Sequence, residues 1–299
     1  VENDYRVEYM WNEVFTPDNL SDIISNFVFV SEEEELEYNN KTEKVEKKTQ
    51  ESLIFPRYHQ LDLIKNFKNQ IPVDDIGKNY LVQHTTGSGK SYSIGWLAHL
   101  LTSLYKDNNS DERMFSSIIV VTDRKVLDKQ LQNTITSLQQ VSGVVNNVTQ
   151  GSKQLKEFLE QGKDIIVTTI QKFPYVISNI NELDQKSFAV IIDEVHSSQS
   201  GELATAMKSA LNIDISENED EIDLEEMLNK QINIKGKQNH ISYFGFTGTP
   251  KEATLEVFGT KNQSGGFEPF HTYSMKQSIA EGFTLDVLKN YTSYKRFFN

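Results

Sequence analysis

Nine residues, HTTGSGKSY from His84 to Tyr92, restrict more than any others what this chain can fold into. They follow an apolar run that begins at Tyr80 and open a stretch of helical spacing from Tyr92 to Tyr105. Strand, glycine-rich turn and helix in that order make the setting of a phosphate-binding loop. Gly87 and Gly89 let the backbone curl with its N–H groups inward, and the helix turns its positive end toward the same anion. Thr86 and Ser88 complete the cradle. Lys90 is placed to reach β- and γ-phosphates, and Ser91 to give an oxygen to Mg²⁺. The usual pattern begins with Gly or Ala six positions before the lysine, where this chain has His84, but the GSGKS core is intact. A plain Gly–Ser turn between strand and helix is the alternative reading.

The same alternation continues along the chain. Strand candidates are Tyr80–His84, Ser117–Thr122, Val144–Val148, Ile165–Thr168, Phe188–Ile192 and Ile241–Phe246. Helical spacing falls at His59–Lys68, Tyr92–Tyr105, Val126–Leu138 and Ser152–Glu160, with a looser stretch around Phe173–Ile180. Apolar strands without clean alternation, separated by helix-sized segments, predict an α/β fold with a mainly parallel sheet covered by helices on both faces. Ligands of such sheets bind beyond the C-terminal strand ends. In the first fifty residues, Leu20, Ile23, Ile24 and Phe27 have helical spacing, and Tyr38–Gln50 is a polar stretch of interleaved Lys and Glu. Within it Glu46–Lys48 has the E-x-K spacing of a nuclease core, read as coincidence because no strand follows.

Composition limits the function classes. There is no cysteine, so disulfides, thiolate metal sites and cysteine nucleophiles are excluded. No apolar run is long enough to span a membrane, and the start lacks a secretion signal, which predicts a cytoplasmic protein without a membrane partner. The formal charge of -13 argues against a nucleic-acid partner, but the excess is local. Glu32–Glu37 holds five glutamates, and Asp214–Glu226 eight carboxylates. Both runs are expected to face solvent, the second as a surface excursion near 211–238.

The second chemical signal is VIIDEVH, residues 190–196, where a wholly apolar strand ends in two adjacent carboxylates. Asp193 would join the Mg²⁺ shell and Glu194 would orient water for attack on the γ-phosphate. His196 is open to three readings: a buried hydrogen-bonding residue, a surface residue, or a relay to the next strand end. That end is FTGTP, where Thr247 and Thr249 can bond to carboxylate or imidazole and Gly248 permits a sharp turn. Upstream, FPRYHQ offers Arg57 and Gln60 for a purine base, or the polar face of a helix start. The turns TDRK, with Arg124, and TTIQK, with Thr169 and Gln171, suit phosphate positioning without base readout.

FPRYHQ, HTTGSGKS, VVTDRKVLDKQL, DIIVTTIQKF, VIIDEVH and FTGTP, in this order, resemble the first RecA-like motor domain of superfamily 2 helicases. QHTTGSGKS, DEVHSSQSG and SIAEGFTLDVLKNYTSY narrow the resemblance to the motor subunit of type I restriction enzymes, over about Glu8 to the C-terminus. The resemblance implies a P-loop NTPase that uses ATP and Mg²⁺, translocates double-stranded DNA before cleavage, and works with methylation and specificity subunits. Carried onto this chain, it implies that Gln60 and Arg57 lie on the adenine side, and that Lys90, Ser91, Asp193 and Glu194 handle phosphate, metal and water. His196 with Thr247, Gly248 and Thr249 would couple hydrolysis to motion, and Arg124, Thr169 and Gln171 would face DNA. Residues 1–50 are then a leader or linker, 51–260 the motor domain with its acidic insertion, and 261–299 a connection. The stretch after FTGTP is too short for a second motor domain and no nuclease is recognisable, so these residues are expected to be an internal part of a larger polypeptide. Another superfamily 2 DNA or RNA helicase, or a nucleotide-dependent interaction module without hydrolysis, are the competing readings.

Overall fold

Side chains of successive strand residues point to opposite faces, so a strand buried at every position must be covered twice. Among the described residues the chain builds four such strands. The computed structural model describes residues 8–39, 44–106, 111–122, 125–138, 143–172, 176, 179–180, 183, 185–194, 240–262 and 264–286. Arg124, His196 and the acidic segment 211–238 lie outside the described residues.

After a short π-helical turn at Met10–Val14 come α1 (Pro17–Asn26), β1 (Phe29–Asn39), β2 (Lys44–Ile54), α2 (Tyr58–Asp74), β3 (Asn79–His84), α3 (Lys90–Thr102), β4 (Ser117–Thr122), α4 (Lys125–Ser137), β5 (Val145–Asn147), α5 (Ser152–Gln161) and β6 (Ile165–Thr169). They are followed by β7 (Phe188–Ile192), β8 (Ile241–Thr247), α6 (Glu252–Phe258), β9 (Thr260–Lys261), β10 (Phe267–Glu268), β11 (His271–Tyr273) and α7 (Met275–Ala280). Seven strands form one parallel sheet in the order β11-β3-β8-β7-β4-β6-β5. Every residue of β4, β6, β7 and β8 is buried.

The two faces have separate cores. Ile118, Val120, Ile191 and Phe244 pack with Phe67, Leu97, Leu101 and Ile135 of α2, α3 and α4. Their strand neighbours Ile119, Val121, Ile166 and Val190 pack with Leu155, Leu159 and Phe258 of α5 and α6. The expected doubly covered parallel sheet is therefore present, with element limits that shift by a few residues. α1 starts with Pro at its first turn, where a missing N–H costs nothing. It buries Ile23 and, just past its end, Phe27 in the first core, where the Trp96 indole N–H donates to Phe27 O at 3.1 Å.

Two departures from the sequence reading stand out. Most of the polar stretch Tyr38–Gln50 pairs in the antiparallel hairpin of β1 and β2, which runs from Phe29 to Ile54 and contains Glu46–Lys48 within β2. Its register sets Glu35 across from Lys48, but also Glu32 across from Glu51 and Glu37 across from Glu46. The second departure is β11. His271–Tyr273 comes from the aromatic segment after Pro250 and pairs in parallel with Val82–His84, covering what would be an open edge of β3.

Candidate nucleotide-binding site

Because the sheet is parallel, its C-terminal strand ends share one edge. Read across that edge, the loops after β3, β8, β7, β4 and β6 bring up in turn His84–Ser91, Thr247–Thr249, Asp193–Glu194, Thr122 and Thr169. Residues scattered over more than a hundred positions of sequence thus form one row.

The loop after β3 has the backbone a phosphate cradle requires. Gly87 and Gly89 both have positive φ, 77° and 81°, and a Cβ on Gly87 would meet open space. Gly89 caps α3, whose thirteen residues put the positive end of a helix at the loop. Thr86 and Gly87 are exposed, whereas Thr85 and Ser88 are buried. Lys90 Nζ donates to His84 O at 3.4 Å and pairs with Glu194 Oε1 at 3.0 Å, so a residue opening α3 and one ending β7 meet over the loop. Glu194 holds a positive φ of 52°, a strained conformation for a residue with a Cβ and one that recurs at active sites. The Asp193 N–H donates to Val121 O, which ties the carboxylate pair to β4. Between them, Thr247 is fully buried with its hydroxyl accepting from Thr249 N at 3.2 Å. A Cβ on Gly248 would lie 3.6 Å from Thr86 N and Oγ1, so this turn packs on the phosphate loop.

Arg57 and Gln60 are seated beneath the loop. Gln60 Oε1 accepts from Arg57 N at 2.8 Å at the start of α2, while Nε2 donates to Gly89 O at 3.1 Å. Arg57 donates to Ser88 O and to the Tyr273 hydroxyl, lies 3.7 Å from Glu281, and rests its guanidinium 3.4 Å from the Phe283 ring centre. Thr169 is buried at the end of β6, and Gln171 sits in the 3₁₀ turn Ile170–Lys172 that follows.

Several residues of the site have partners that the sequence does not reveal. His84 fills the position usually held by a small residue and is completely buried. Its Nε2 lies 2.8 Å from His271 Nδ1, and His271 Nε2 lies 3.2 Å from Asp62 Oδ2. The carboxylate accepts, so neutral rings must both donate from Nε2, and the chain of bonds runs from His84 to α2. Burial, reinforced by the nearby His271 and His59, pushes the His84 pKa far down and keeps it neutral. His59 stacks on Tyr273 at 3.8 Å and 11°, and burial followed by the adjacent Arg57 charge lowers its pKa to about 4. The only hint of this layer is the clustering of His and Tyr in HTY, three residues of a strand too short for any periodicity.

Gly89→Ala is expected to lower the melting temperature by roughly 3–6 °C, since the left-handed backbone costs about 1–2 kcal/mol with a Cβ. The added Cβ would also sit 2.7 Å from Gln60 Nε2. Thermal denaturation checks this; a melting temperature equal to the parent's would show that the loop does not need the glycine.

A SWI2/SNF2 ATPase family model matches residues 59–216, more than half of the chain. Over 257 residues the chain is 28% identical to the type I restriction enzyme SsaAORF53P endonuclease subunit of Staphylococcus saprophyticus, covering 81% of this chain and 22% of that one. It is 26% identical over 310 residues to the putative type I restriction enzyme MjaVIIIP endonuclease subunit of Methanocaldococcus jannaschii, covering 96% and 26%. Among solved structures, a nuclease-deletion mutant of the Type ISP restriction-modification enzyme LlaGI in complex with a DNA substrate mimic aligns with a TM-score of 0.47 and 15% identity, covering 79% of this chain and 22% of that one. The chain therefore spans about a quarter or less of the length of these curated relatives. Among the described residues no helix is long and apolar enough to cross a membrane. The matched stretch runs from α2 through the glycine-rich loop and past Glu194, which pairs with Lys90, and on that match the chain belongs to the SWI2/SNF2 ATPase family.

Proposed function

We propose that this chain is the ATP-binding motor unit of a type I restriction endonuclease subunit, coupling Mg²⁺-ATP hydrolysis to translocation along double-stranded DNA before cleavage. The observation that carries the nucleotide part is the meeting of Lys90 and Glu194 at 3.0 Å across the mouth of a glycine-bent loop. The restriction-enzyme part is supported by the two relatives. On this reading residues 51–260 are the motor domain with an insertion at 211–238, flanked by a leader, 1–50, and a connection, 261–299. The methylation and specificity subunits would be met through a longer polypeptide in the cytoplasm.

On this reading the residues divide the work. The amides of Thr86–Ser91 and the Lys90 ammonium would hold the triphosphate. The Ser91 hydroxyl and Asp193 carboxylate are hard oxygen donors at the loop. Among the described residues no three His, Asp or Glu side chains gather as a metal cage. Such a sparse donor set fits Mg²⁺, which keeps several waters and takes phosphate oxygens; when bound it would supply charge neutralisation of the phosphates. Glu194 would accept a hydrogen bond from the attacking water and orient it in line. Arg57 and Gln60 would meet the adenine from beneath the loop. His196 and Thr247–Thr249 would sense the γ-phosphate, the turn being already in contact with Thr86. Arg124, Thr169 and Gln171, at or beyond the ends of β4 and β6, would track DNA phosphates away from the nucleotide.

Lys90→Ala should weaken Mg²⁺-ATP binding roughly 10- to 100-fold, the worth of one charge-assisted hydrogen bond at the phosphates. Isothermal calorimetry measures it. Unchanged affinity in a folded variant would remove this loop as the binding site.

A further inference from the structure

Three donors from the start of α2 converge on one carbonyl of the phosphate loop. Arg57 Nη1, His59 Nε2 and Gln60 Nε2 lie 3.3, 3.1 and 3.4 Å from Ser88 O. A peptide unit is planar and trans, so holding that carbonyl toward α2 turns the N–H of Gly89 to the opposite side, away from α2. Ser88 stands between Gly87 and Gly89, both with positive φ. Glycine tolerates either sign of φ, so sterics alone do not prevent the Ser88–Gly89 peptide from flipping.

We infer that His59, braced by Tyr273, is a positioning residue that locks the Ser88–Gly89 peptide with its N–H aimed at the bound phosphates. The inference rests on the ATP-binding reading above and assigns the lock to a residue outside the phosphate loop itself. His59 makes the shortest of the three contacts and is the best fixed of the donors. It is 4% exposed, stacked on the fully buried Tyr273 and edge-on to His84 at 5.1 Å. Tyr273 is itself held, its hydroxyl accepting from Arg57 at 2.6 Å and donating to Glu281 at 2.6 Å, while its own carbonyl accepts from Thr85 N at 3.0 Å. Gln60 and Arg57, by contrast, divide their donors among several acceptors. Ser88 O can only accept, so the neutral His59 ring must carry its proton on Nε2.

The test uses the 299-residue chain with Mg²⁺-ATP and pyrophosphate as probes in calorimetry, alongside thermal melts. His59→Leu removes the N–H at similar bulk; His59→Gln returns an N–H at nearly the same reach. His59→Leu should weaken ATP and pyrophosphate by the same factor, roughly five- to tenfold, and His59→Gln should recover to within about twofold of the parent. Tyr273→Phe, which keeps the stack but frees the ring from Arg57 and Glu281, should weaken both about threefold. Equal loss in His59→Gln and His59→Leu would overturn the lock in favour of simple packing. A loss confined to ATP would overturn it in favour of a contact with the base. Should His59→Leu fail to fold, parent affinities in Tyr273→Phe would overturn the inference alone. Failure of the parent chain to bind either probe would overturn the ATP-binding reading and the inference with it.

Discussion

Glu194→Gln is expected to lower the single-turnover rate of ATP hydrolysis roughly 10²- to 10³-fold while tightening ATP binding a few-fold. The two effects have opposite signs because the carboxylate has two tasks. It holds Lys90 at 3.0 Å, with the two side chains only 25% and 10% exposed. A triphosphate must take that ammonium away from it. An amide of the same shape presents no negative charge, so Lys90 is released more readily and binding gains. The amide is also a poor proton acceptor, so water near the γ-phosphate loses its orienting base and the chemical step slows. Rapid mixing with protein in excess over ATP gives the rate, and calorimetry the affinity. A parent-like rate in Glu194→Gln would remove Glu194 from the chemistry and leave it as a structural partner of Lys90.

Steady-state turnover by the 299-residue chain alone is expected to be slow, roughly 10³-fold or more below a form in which an arginine from outside reaches the γ-phosphate. Developing charge on the phosphoryl oxygens needs a cation beyond Lys90, and the described arginines are committed elsewhere. Arg57 is held by Ser88 O, Tyr273 and Glu281 beneath the loop. Arg113 pairs with Asp164, which precedes β6 and so lies at the opposite edge of the sheet from the site. The measurement is ATPase activity with and without double-stranded DNA across a range of protein concentrations. A rate that rises with concentration would show the arginine arriving from a second copy. Fast turnover at low concentration would refute the expectation and require a cation within reach in the chain itself.

The features legible in sequence were those with many residues behind them. Four wholly buried strands read largely as apolar runs, and the glycine-rich loop and the Asp193–Glu194 pair follow the ends of β3 and β7. Parallel geometry then gathers them, because it sends every such end to one edge. The hairpin of β1 and β2 was not legible, since the polar stretch Tyr38–Gln50 has no apolar period to mark a strand. The layer under the loop was hidden for another reason. His59, His84, His271 and Tyr273 meet through contacts between segments far apart in the chain, and His84 and His271 are 187 residues apart. No local pattern encodes a partner at that distance. The acidic insertion and His196 fall outside the described residues.

The place of β3 in the sheet also sets a timetable for biosynthesis. Both strands that flank it, β8 and β11, come much later in the chain: Gly77, just before β3, finds its partner Ser242 across 165 residues. A nascent chain therefore carries the phosphate loop long before either neighbour of its strand exists, and the loop cannot acquire its final shape until Tyr273 has emerged. Until then β3 exposes two unpaired edges and an apolar face, the kind of surface that invites wrong pairing or chaperone capture. Nucleotide in the cell would consequently act late, as a ligand that rewards only the finished sheet and draws the last strand into place by mass action.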